Sequence, residues 1–149
     1  MANIAKWNAP SATVSALTTE LDALANNTLS AQSAAIANQT NLDIYVDIEL
    51  VLAALSPTAG AFCALYIAEA IDGTNYPNPT GADQRLQTTA LLAVFALSTT
   101  ATTAQRLVVR NVVIPPGTFK LALDNQAGVG LGATLNTVKI LPYDVNLNA

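Results

Sequence analysis

Residues 41–55, NLDIYVDIELVLAAL, constrain this chain more than any other stretch. On an extended backbone, Leu42, Ile44, Val46, Ile48, Leu50 and Leu52 fall on one face, and Asp43, Tyr45, Asp47 and Glu49 on the other. A period of two sustained this long marks a strand with one buried face. A lone strand cannot bury that face, so the remaining chain must supply both sheet partners and a second layer.

Reading onward, the partners are there. SPTAG supplies turn chemistry, and AFCALYIAEAI is expected to return as the other arm of a hairpin. LQTTALLAVFALS and AQRLVVRNVVI follow as strands. A second hairpin is expected at Pro-Pro-Gly, with Pro116 presetting φ at the second turn position and Gly117 taking the positive φ of a type II turn. TFKLALDN alternates cleanly, QAGVGLG reads as a glycine-rich connection, and ATLNTVKILPYDV is the last strand. Seven or eight strands at short, regular spacing predict a mainly β chain: a sandwich, a jelly roll or a closed barrel, not a parallel α/β sheet.

Residues 1–15, with Trp7 and Pro10, show no period and are expected as an extended N-terminal arm on a single sandwich domain of residues 16–149. In SALTTELDALANN, Leu17, Leu21 and Leu24 at i, i+4 and i+7 predict a short helix closed by Asn26 and Asn27. TLSAQSAAIANQ is ambiguous, a weak strand at most, because Ala and Ser dominate and neither period wins. ALLAVFAL and LVLAAL are apolar on both faces and need cover on both sides, from the partner sheet and from the leucine helix or a neighbouring subunit.

Charge narrows the functional classes. Only 11% of the 149 residues are charged, against roughly 25% in an average soluble domain, while 52% are hydrophobic. Depletion of charge marks interface cores, so much of the exterior is expected to meet other protein, copies of this chain included. A net charge of −4 and six scattered Lys and Arg give no basic stripe for nucleic acid. Arg106 and Arg110, with Val108 between them, are expected either to pair with strand carboxylates or to be solvated at the sheet surface. ALLAVFAL falls short of the ~20 apolar residues of a spanning helix, so no membrane partner is expected. The N-terminus lacks the apolar core of a secretory signal, which predicts a protein kept without export.

Chemistry is scarce. No histidine exists, so histidine-based nucleophilic systems and histidine-ligated zinc are excluded. Cys63 has no partner for an internal disulfide and reads as a small buried hydrophobe. Asp47 and Glu49, about 7 Å apart on one strand face, lie near the spacing of a retaining glycosidase, but any acidic strand offers that. Asp72, Asn75 and Asp83 could offer oxygen to calcium, yet DGTN is simply a good turn. QAGVGLGA carries G-x-G-x-G without a following helix, so phosphate binding is not expected. Sugar binding without catalysis has two candidate rings, Tyr45 on the polar strand face and Tyr76 in the loop 72–83, where the plainer role of Tyr76 is packing on Pro77 or Pro79.

The order of these segments is similar to the small β-sandwich virion proteins of tailed bacteriophages, head decoration or minor structural proteins. It runs from LTTELDALAN through NLDIYVDIELVLAAL, LYIAEAIDGTNYP and VFALS to AQRLVVRNVVIPPGTFKLALDN and NTVKILPYDV, about Leu17 to Tyr143. The resemblance carries no catalytic residue and no cofactor. It implies an antiparallel, jelly-roll-like β-sandwich, non-enzymatic and present in many copies on a virion assembled in the host cytoplasm, cementing the major capsid protein or another virion protein. Its partner-contact candidates here are Trp7, Pro10, Leu17, Leu21, Leu24 and Tyr76. The alternative is a carbohydrate or host-surface recognition module of a tail or head fibre.

Overall fold

The structure, a computed structural model, describes residues 4–77, 91–99 and 103–148. Eleven strands run through the described residues: β1 (Ile4–Trp7), β2 (Val14–Leu17), β3 (Thr28–Leu29), β4 (Ile36–Ala37), β5 (Tyr45–Leu52), β6 (Phe62–Glu69), β7 (Leu91–Ala96), β8 (Gln105–Val113), β9 (Thr118–Gln126), β10 (Thr137–Tyr143) and β11 (Val145–Asn148). One sheet has the order β2-β10-β5-β8, the other β3-β9-β6-β7 with β4 also on β9, and β1 pairs with β11 as a ribbon. All pairs are antiparallel. If β3 and β4 are taken as pieces of one broken strand, this is the eight-stranded jelly roll.

The two sheets close over one core. Val46, Ile48, Leu50 and Leu52 of β5 and Val138 and Ile140 of β10 face Cys63 and Leu65 of β6, Phe95 of β7, and Phe119, Leu121 and Leu123 of β9. Full burial of each large side chain contributes roughly 1.5–3 kcal/mol. The alternation read from β5 therefore holds from residue 45 onward. Before it, Leu42 takes φ +53°, which breaks the period. Leu42 and Ile44 are left exposed, and Asp43 turns inward to accept a hydrogen bond from Ser11 Oγ at 2.8 Å.

Neither expected hairpin forms. β5 and β6 lie in opposite sheets, as do β8 and β9, so SPTAG and Pro-Pro-Gly are corners that carry the chain across the sandwich. Strands flanking a turn look alike in sequence whether they pair or pack face to face. Gly117 is not at positive φ, so the turn is not type II. The corner is fixed by Asn38, whose amide donates to the Pro115 carbonyl at 2.9 Å and the Asp43 carbonyl at 2.7 Å.

The predicted Leu17–Leu24 helix is also absent. Leu17 ends β2 opposite Val138, and Thr19–Leu21 make one 3-10 turn, with Glu20 accepting from the Thr18 N–H at 2.9 Å. Ala23 and Asn27 at positive φ stop any continuation. Strand end and tight turn place Leu17 and Leu21 wholly in the core, with Leu24 packed against it. A helical spacing of three leucines is thus met by a non-helical path.

TLSAQSAAIANQ resolves as a strand whose middle is made by side chains. Ser30 and Ser33 accept the N–H groups of Leu123 and Leu121 with their hydroxyls, both at 3.0 Å. Their own N–H groups donate to the carbonyls of the same two residues at 2.8 Å. The repeated Ser-Ala lets the chain bulge outward while β9 stays fully bonded.

Candidate functional site

The outer face of the β2-β10-β5-β8 sheet carries the site. Register places Tyr45, Asp47 and Glu49 of β5 opposite Tyr143, Leu141 and Lys139 of β10. On the other side, Val46 pairs with Val112 and Ile48 with Val109, so Arg110 and Asn111 together oppose Asp47 alone. This is a β-bulge, and Asn111 takes the left-handed φ of +57° that Asn tolerates better than most residues. Asp47 Oδ1 secures it by accepting the Asn111 N–H at 3.1 Å.

The bulge brings Asn111 to Tyr143. The Tyr143 hydroxyl donates to Asn111 Oδ1 at 2.6 Å and lies 3.1 Å from Asp47 Oδ1. Burial, and then the hydrogen bond and negative charge of Asp47, push the Tyr143 phenol above its ordinary pKa of 10.0. The Tyr143 ring stacks on Tyr45, centroids 5.8 Å apart, and receives Trp7 edge-on at 5.4 Å. Residues 8–11 run beside β10, tied by Asn8 N–H to the Asp144 carbonyl at 3.0 Å and Ser11 N–H to the Pro142 carbonyl at 2.8 Å.

Together these groups enclose a cleft of about 350 Å³, walled by Trp7, Asn8 and Pro10 and floored by Asp47, Arg110, Asn111, Leu141 and Tyr143. A second hollow of about 280 Å³ shares Asp47, Arg110 and Leu141 and extends the groove toward Glu49, Val108 and Lys139. Trp7 is 67% exposed. Among the described residues Arg110 forms no ion pair or hydrogen bond, whereas Arg106 meets Glu49 at 2.9 Å. Arg106 thus pairs with a strand carboxylate and Arg110 stands exposed at the sheet surface, the two outcomes expected for these arginines.

The sequence candidates separate. Trp7 and Pro10 share the cleft wall. Leu17 and Leu21 are spent on the protein's own core and have no surface for a partner. Residues 4–7 of the expected arm lie in β1, paired with residues 145–148 of the same chain. Tyr76 is half-buried, with the Lys120 ammonium 4.5 Å above its ring, a cation–π contact; Pro79 lies outside the described residues. Asp72 closes an Asx turn: Oδ1 accepts the Thr74 and Asn75 N–H groups and Oδ2 the Asn75 side chain, which holds its pKa down to about 2. Asp83 lies outside the described residues. Burial pushes the Cys63 thiol up from 9.0 to about 12, so it stays protonated and inert at neutral pH.

Sequence reasoning missed Arg110, Asn111 and Tyr143 as members of one site. Only the register shift unites them, and no periodicity announces a bulge.

No family model and no curated protein matches the chain. Among solved structures it is similar to an exo-β-1,3-galactanase from Phanerochaete chrysosporium with galactose, at 8% identity and a TM-score of 0.39, over 96% of this chain and 30% of that one. It is also similar to TmCBM61 in complex with β-1,4-galactotriose, at 8% identity and a TM-score of 0.29, over 83% and 68% of the two chains. The chain thus spans less than a third of the galactanase's length. Identity this low transfers no residue role.

Proposed function

We propose that this protein is a non-enzymatic structural protein of a tailed-phage virion, a capsid decoration protein that adds to shell stability by contacts with the major capsid protein and with copies of itself. The observation that carries this reading is how much large apolar surface a charge-poor fold leaves open. Ile71 is 95% exposed, Leu135 77% and Val113 63%, in a chain with only 11% charged residues. On the second sheet, Phe62, Leu91 and Val94 also face outward. Surface of this kind contributes about 25 cal/mol per Å² when buried against protein, before the costs of association.

The carboxylates favour the same reading over a hydrolase. Asp47 Oδ1 is held by Tyr143 and the Asn111 N–H, and Glu49 by Arg106, so both serve the sheet's outer face. Cryo-electron microscopy of the encoding phage's particle is the test. The reading expects jelly-roll density at symmetry-related positions on the head, against coat subunits. A particle without this chain would overturn it, and its presence only at a fibre tip would favour host-surface recognition.

A further inference from the structure

Beyond a role in assembly, the geometry points to a saccharide-binding groove on the outer face of the β2-β10-β5-β8 sheet, with one pyranose ring seated on Trp7. A pyranose has an apolar face of C–H groups and a rim of hydroxyls. The cleft offers the complement of both. Trp7 presents an open aromatic face, and beside it stand groups that donate and accept at different points. Arg110 has donors without partners among the described residues, and Asp47 Oδ2 accepts no hydrogen bond there; the contacts of this carboxylate, from the Asn111 N–H and the Tyr143 hydroxyl, fall on Oδ1. A hydroxyl pair between Arg110 and Asp47 Oδ2 would satisfy both.

Two features favour a sugar over a peptide. An extended peptide gains most of its affinity by pairing with an open strand edge. Here the floor is the outer face of β5 and β10 with Arg110 and Asn111 of β8, and a ligand seated on it lies on the sheet's face, not along the open edge of β8. The hollow is also small, about 350 Å³ with a neighbour of about 280 Å³ on the same sheet face, room for a few sugar rings. The floor is built for precision: the bulge, the Tyr45–Tyr143 stack and the Tyr143–Asn111–Asp47 hydrogen bonds hold its polar groups in place before any ligand arrives.

Trp7 is the chain's one tryptophan, so its fluorescence reports this cleft directly. The full-length protein is applied to an array of defined bacterial surface oligosaccharides, and any hit is titrated against Trp7 emission. The expected result is saturable binding with a change in that emission. Trp7→Phe should retain part of the affinity, while Trp7→Ala and Arg110→Ala should each lose roughly tenfold or more. Tyr76→Ala, outside the groove, should bind as the unaltered protein does. Circular dichroism of each variant separates lost binding from lost fold. An array without signal, or binding that survives both Trp7→Ala and Arg110→Ala, would overturn the groove while leaving the assembly role to its own test.

Discussion

Asn125 is wholly buried on β9, and its side chain does work that an apolar residue could not. Its amide nitrogen donates to the carbonyls of Leu24, Ala25 and Val129, and its oxygen accepts the Ala127 N–H at 3.0 Å. It thereby ties the 3-10 turn region to the β9–β10 connection. Asn125→Ala should cost about 3 kcal/mol, read as a lowered urea midpoint, because it strands several buried backbone groups. Cys63 gives a prediction in pH. Its folded pKa of about 12 stands above the ordinary 9.0, so the folded state holds a proton that the unfolded state releases. The stabilisation is therefore full below pH 9 and lost as pH rises toward 12, a loss that Tyr143, also shifted upward, reinforces. Chemical denaturation across that range should show falling stability, with a shallower fall for Cys63→Ala.

At the scale of elements, the long strands were legible because burial on one face imposes period two, as β5 shows, whereas β9 alternates in sequence yet is buried on both faces from Leu121 to Asn125. What the residues did not reveal was which strands pair. SPTAG and Pro-Pro-Gly read as hairpins, yet both join opposite sheets, since a corner and a hairpin use the same turn residues. The leucines at 17, 21 and 24 suggested a helix because two buried side chains and a third packed against them meet a core equally well from a strand end and a 3-10 turn. The segment at residues 28–37 gave no period because serine hydroxyls replace backbone groups in its middle. Ser30→Ala and Ser33→Ala should each cost roughly 1–3 kcal/mol by leaving Leu123 or Leu121 N–H unpaired in the interior. Hydrogen exchange should show those two amides opening first in the variants. The groove was partly legible: Trp7 and Pro10 stood out by residue type, while Arg110 and Asn111 needed the bulge to bring them to Asp47.

For the whole molecule, a closed jelly roll with few charges and several uncovered apolar side chains is suited to standing among neighbours. The terminal ribbon bears on how it does so. Residues 4–7 pair with 145–148, so the expected N-terminal arm is engaged on its own chain. Removing residues 1–10 should leave the sandwich folded, since both main sheets lie outside that stretch, while abolishing the Trp7 wall of the groove. Circular dichroism and Trp-free ligand binding measured by calorimetry would show the two effects separately. The most direct test of the proposed decoration role is co-sedimentation of the purified protein with shells assembled from the tailed-phage major capsid protein proposed as its partner. The account predicts saturable binding at a fixed ratio of copies and a higher temperature of shell opening. A protein that stays in the supernatant as a monomer at every concentration, with shell opening unchanged, would contradict it.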